Sequence, residues 1–167
     1  MNKLVVSLAL CAALGIPSIA RAQLPVSFGI AGGPTFSQEA SEVGYHIGGL
    51  IDISLPLLPV GFRVDGFINQ IDFGGGKRRI FDVTANVVYA PLPTPLAKPY
   101  FIGGVGFYST RIIGSSRLGQ EDIGLNAGAG AKFNFIALKV FLDARYHHVF
   151  SDGDATSFIP VTIGIMF

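Results

Sequence analysis

From residue 26 onward the chain alternates. Apolar residues and polar or small ones take turns over stretches of roughly ten residues, separated by clusters of Gly, Pro, Asp and Ser. A period of two belongs to an extended strand, whose successive side chains point to opposite faces. Eight such segments can be delimited: 26–36, 43–55, 60–71, 80–90, 100–110, 122–134, 138–149 and 157–167. The second is the clearest. Val43, Tyr45, Ile47, Ile51, Ile53 and Leu55 share one face; Gly44, His46, Gly48, Asp52 and Ser54 share the other. The third sets Val60, Phe62, Val64 and Ile68 against Gly61, Arg63, Asp65 and Asn69. The fourth opposes Phe81, Val83, Ala85, Val87 and Tyr89 to Asp82, Thr84 and Asn86.

The fifth segment is rich in Gly, and its faces are not assigned. The sixth alternates Ile123, Leu125, Ala127, Ala129, Ala131 and Phe133 with a face containing Gly124, Asn126, Gly128, Gly130 and Lys132. The seventh sets Leu138, Val140, Leu142, Ala144 and Tyr146 against Lys139, Asp143, Arg145 and His147. The eighth carries Ile159, Val161, Ile163, Ile165 and Phe167 on one face. No segment has helical spacing. An even number of strands predicts an all-β, eight-stranded, antiparallel up-and-down barrel.

Either face of such a barrel could be the inner one. A soluble carrier would bury the apolar face; a membrane barrel inverts it. Two features favour inversion. The polar face carries Asp52, Arg63, Asp65, Asp82, Lys132, Lys139, Asp143 and Arg145, charges of both signs that can neutralise one another in a narrow lumen. A Lys or Arg on the lipid side near the midplane would instead cost about 2–4 kcal/mol. The apolar face is also unbroken over most of a strand, close to the height of a membrane's apolar band. Asp52 and Arg63 lie symmetrically about the turn at 56–59 and are expected to be cross-strand neighbours.

The first residues read differently. Lys3, an apolar run over 4–16, Pro17 and the Ala20-Arg21-Ala22 site form a secretory signal peptide over 1–22, leaving 23–167 as a single barrel domain. Cys11, the chain's one cysteine, leaves with it, so disulfides and CxxC sites are excluded. Leu10 before that cysteine argues against lipidation. With Lys3 and Arg21 removed, ten of the 12 basic residues remain against 11 acidic ones, which gives no footprint for nucleic acid. Half the residues are hydrophobic and 14% charged, the reverse of a disordered composition. Beyond the signal no apolar run reaches the roughly 18 residues of a spanning helix, so a membrane could be crossed only by a closed barrel.

The connections differ in kind. Four are polar, with Glu39 and Glu42, then Asp72 through Lys77, Arg78 and Arg79, then Arg117 and Glu121, then Asp152 and Asp154. The other three, 55–59, 91–99 and 134–137, are short or Pro-rich and nearly uncharged. Longer loops outside and tight turns in the periplasm would produce this asymmetry. The alternation through Ile163 and Ile165 to a terminal Phe167, the Asp143-Ala144-Arg145-Tyr146 stretch and the Gly-rich 100–108 strand resemble the small outer-membrane β-barrels of the OmpA and OmpX type. That resemblance implies an outer-membrane location. It also implies that Ile163, Ile165 and Phe167 form the signal read by the barrel-assembly machinery.

Candidate chemistry is sparse. His147 and His148 near Ser151 suggest a hydrolase. Outer-membrane lipid A deacylases use a neighbouring His and Ser on the outer face, plus a carboxylate. Here His148 and Ser151, three apart, fall on opposite faces of a continuing strand, and a loop or structural role is favoured. Asp152-Gly153-Asp154 opens like a calcium loop but has Ile163 where the closing Glu belongs. Gly74-Gly75-Gly76-Lys77 lacks the spacing of a phosphate loop and reads as a flexible connection. Lys77, Arg78 and Arg79 are candidates for contact with lipopolysaccharide phosphates, although a solvated loop tip is the simpler reading. No cofactor, metal or catalytic residue is expected. The expected partners are membrane lipid, lipopolysaccharide and, during biogenesis, the assembly machinery, with the chain a monomer. The expected role is structural or surface-interactive. The alternatives are a soluble lipocalin-like carrier, a lipid A-modifying enzyme and a narrow pore.

Overall fold

The computed structural model describes residues 26–37, 43–55, 57–73, 76–92, 94, 97–113, 120–135, 138–151 and 156–167. The segment read as a signal peptide, together with Cys11, Glu39, Glu42, Arg117 and the Asp152-Gly153-Asp154 stretch, lies outside them. Eight strands follow one another: β1 (Val26–Ser37), β2 (Val43–Ser54), β3 (Val60–Phe73), β4 (Gly76–Tyr89), β5 (Ala97–Ile113), β6 (Gln120–Asn134), β7 (Lys139–Phe150) and β8 (Thr156–Met166). Each pairs antiparallel with its neighbours in sequence, and β1 pairs with β8, so the sheet closes. At the seam Phe28 and Phe167 exchange both backbone hydrogen bonds at 2.9 Å. Closure leaves no unpaired sheet edge.

The alternation becomes two faces. Outward stand the long apolar side chains: Ile47 is 65% exposed, Phe107 71% and Ile163 59%. Inward stand the charges, with Arg63 fully buried and Arg145 2% exposed. The inward Gly residues make room for large neighbours. A Cβ at Gly130 would come within 2.5 Å of the Asp143 Cβ and 2.7 Å of the Tyr100 ring.

Three expectations need correcting, and the unassigned fifth strand is settled. Lys77, Arg78 and Arg79 are not in a loop: β4 begins at Gly76, and these residues pair with Asp72, Ile71 and Gln70 of β3. The β3–β4 connection is therefore residues 74 and 75 alone, and connection length does not separate the two barrel ends; composition does. The fifth strand proves apolar on both faces, with Tyr100, Ile102 and Tyr108 inside and Phe101, Val105 and Phe107 outside, which is why it shows no period. Finally, the lumen is not filled by charge and small residues alone. An apolar layer of Ile71, Ile80, Tyr108, Val149 and Phe158 packs at the loop end. Val88, Tyr100 and Ile102 pack at the turn end, and Phe67, Phe141 and Met166 pack with Leu50 along one side.

Candidate functional site

Strands β2, β3, β6 and β7 bring six charged side chains together across the lumen. They alternate in sign along one chain of contacts. Lys132 Nζ donates to both oxygens of Asp52 at 2.8 Å. Arg63 Nε donates to Asp52 at 3.0 Å, and Arg63 Nη1 donates to Asp143 at 3.0 Å. Arg145 Nε donates to the other Asp143 oxygen at 3.1 Å, and Arg145 Nη1 to Asp65 at 2.8 Å. Asp52 and Arg63 are register partners in the β2–β3 pair, the placement their symmetry about the turn predicts. Arg145 and Asp143 are two residues apart on β7; Lys132–Asp52, Arg63–Asp143 and Arg145–Asp65 each join residues 80 positions apart and depend on closure.

Neutral groups complete the arrangement. Tyr100 donates its hydroxyl to Asp143 at 2.7 Å, and the Arg63 guanidinium lies over the Tyr100 ring at 5.2 Å and the Phe141 ring at 4.8 Å. Asn86 donates to Asp65 at 2.8 Å. Nearer the loops, His46 bridges Thr35 and Thr162 at 3.0 Å on each side. Two charges expected in the network stand outside its ion pairs. Asp82 accepts from Asn69 at 2.6 Å and has no ion-pair partner among the described residues. Lys139 donates to the Ser27 hydroxyl at 2.9 Å. Tyr100 escaped the sequence reading because its strand has no polar face to mark it.

On the outward side of the sheet lie two polar clusters, the first around the buried Ser157. His148 Nδ1 lies 3.0 Å from Ser157 Oγ, to which Tyr146 donates at 2.9 Å. His148 and Ser157 are register partners across β7–β8. Ser151 is not part of this cluster: it donates to Asp122 at 3.0 Å. His147 points inward, within 2.9 Å of the Tyr108 hydroxyl and stacked on Phe158. The second cluster is basic. Lys77 and Arg79 of β4 lie on the outward face with Phe81, whereas Arg78 lies on the other face. Arg111 of β5 is the register partner of Arg79 and shares its face. Lys77 reaches Asp72 at 4.0 Å with both side chains about half exposed. Among the described residues no three His, Cys, Asp or Glu side chains gather as a metal site.

No protein-family model matches the chain, and no curated protein matches it. Solved structures do. Neisserial surface protein A superposes with a TM-score of 0.69 at 16% identity, covering 84% of this chain and 94% of that one. The outer-membrane enzyme PagL gives 0.59 at 18% identity, over 84% of this chain and 98% of that one. The N-terminal β-barrel domain of Pseudomonas aeruginosa OprF gives 0.55 at 17%, over 84% and 97%. At such identities the likeness is one of fold: the closed eight-stranded barrel of small outer-membrane proteins.

Proposed function

We propose that the chain is an integral outer-membrane β-barrel whose role is structural or surface-interactive, anchored by its apolar outer face with a lumen closed by side chains. One observation carries the reading: exposed Ile, Val and Phe encircle a barrel whose buried charges are paired inside. In water that surface would aggregate; in lipid it is the low-energy arrangement. The ion-pair chain through Asp52, Arg63, Asp65, Lys132, Asp143 and Arg145 serves as a plug, because eight strands leave room for side chains and little else. Ile163, Ile165 and Phe167 serve as the assembly signal. Lys77, Arg79 and Arg111 sit at the loop-end rim beside apolar residues that face lipid, where phosphates of the outer-leaflet lipopolysaccharide would offset the repulsion between the facing Arg79 and Arg111. Arg78, on the inward face, leaves that set.

Fractionation of cells expressing the full chain tests the reading. The protein is expected in the outer membrane and extractable only with detergent, migrating faster unboiled than boiled. A monomer soluble in plain buffer would establish the carrier alternative instead. Deleting Phe167 is expected to lower the amount of assembled barrel in cells by about tenfold, measured against total protein.

The His148–Ser157 contact favours a second reading, an acyl hydrolase acting on outer-leaflet lipid. Ser157 would supply the nucleophilic oxygen and His148 the base, on a fold shared with one outer-membrane enzyme. Ser157→Ala decides it. Loss of fatty-acid release from lipopolysaccharide would establish catalysis; identical lipid profiles with and without the protein would exclude it.

A further inference from the structure

At the end opposite the loops, the barrel mouth framed by the turns holds a cavity of about 530 Å³, within the usual range of small-molecule sites. Its two walls differ in chemistry. One is apolar, made by Leu55, Leu57, Leu58 and Val60 at the β2–β3 turn. The other carries the ammonium groups of Lys98, Lys132 and Lys139, with Tyr100 beside them.

The charges there do not balance. Asp52 is the one carboxylate among the described lining residues, and Lys132 and Arg63 already engage both its oxygens. Among the described residues Lys139 holds only the Ser27 hydroxyl, and Lys98 has no ion pair or hydrogen bond. Lys98 and Lys132 are register partners on one face, so like charges stand directly opposite each other. The apolar wall is equally unsatisfied. Leu57 is fully exposed and sits at φ 69°, a backbone region that residues with a Cβ seldom adopt. Leu58 beside it is 60% exposed.

We propose that this mouth binds a small amphipathic anion, with a single carboxylate or phosphate among the lysines and an apolar body against the leucine turn. The cavity belongs to the folded barrel in any surroundings, so the proposal stands apart from the membrane reading.

The test uses the folded chain in nanodiscs of zwitterionic lipid, titrated calorimetrically with empty discs as the blank. Octanoate and octyl phosphate, run side by side, tell a carboxylate head from a phosphate head. Acetate supplies a head without a tail, and octanol a tail without a head. Saturable binding of octanoate or octyl phosphate at one site per chain is expected, with acetate and octanol at least about tenfold weaker. The double variant Lys98→Gln/Lys139→Gln is expected to lose about tenfold or more in affinity while keeping the folded, heat-modifiable band. Leu57→Gly, which suits that backbone conformation, is expected to weaken the amphiphiles and leave acetate unchanged. Non-saturating partition equal to that of empty discs would overturn the proposal. So would an unchanged isotherm in the double variant, or acetate as tight as the amphiphiles, which would mean an adventitious ion only.

Discussion

Asp143 receives Arg63 on one oxygen, Arg145 on the other, and the Tyr100 hydroxyl as well. Removing one partner of a buried ion pair is far costlier than never having built it, because the abandoned charge has no water to turn to. Asp143→Ala leaves two guanidiniums sharing only Asp52 and Asp65, and is expected to destabilise the barrel by about 3–5 kcal/mol in urea unfolding from lipid. Asp82 should behave oppositely. It is a buried carboxylate with one amide donor and no ion pair among the described residues. Asp82→Asn removes a desolvated charge and keeps the shape, so stability measured in the same way should stay level or rise by about 1 kcal/mol. Equal losses for the two variants would mean that burial alone, and not pairing, sets the cost.

Each strand carries its function in its alternation, so one substitution read on both faces reports where the strand sits. Ile47 faces outward in mid-strand, beside the inward His46. Ile47→Lys is expected to cost about 2–4 kcal/mol in lipid, whereas on a water-facing surface it would be neutral or improve solubility. Stability in bilayers set against solubility in buffer checks the sign. Most of this order is visible in the sequence, since β6 shows a period of two from Ile123 on, and β2 and β4 show one over most of their length. It fails where the alternation is masked. β5 is apolar on both faces, so Tyr100 could not be told from a lipid-facing residue. In β4 the run Lys77-Arg78-Arg79 looked like a loop because three adjacent charges have no period. They remain in the strand because the backbone pairs with β3 through Phe73, and backbone pairing is indifferent to charge.

Closure brings together residues that no hairpin would. Arg63 on β3 meets Asp143 on β7, 80 positions apart in sequence, and Arg145 meets Asp65 the same way. Arg63 and Arg145 are buried across the lumen, and Tyr108 and Phe158 are buried in the layer nearer the loops. In a planar bilayer the folded chain is expected to show no steady conductance. Stepwise openings in the unmodified protein would establish the pore alternative.

Local contacts were legible wherever a turn fixes the arithmetic. The alternation defines the strands and their faces, and symmetry about residues 56–59 pairs Asp52 with Arg63. The same counting about residues 151–154 would have matched His148 with Ser157. Reach across the lumen is a property of the closed sheet: which carboxylate meets which guanidinium, where aromatic rings replace charges, and how lysines from β5, β6 and β7 converge on one mouth. No period along the chain encodes those distances, because they depend on how far around the barrel the strands lie when the last one joins the first.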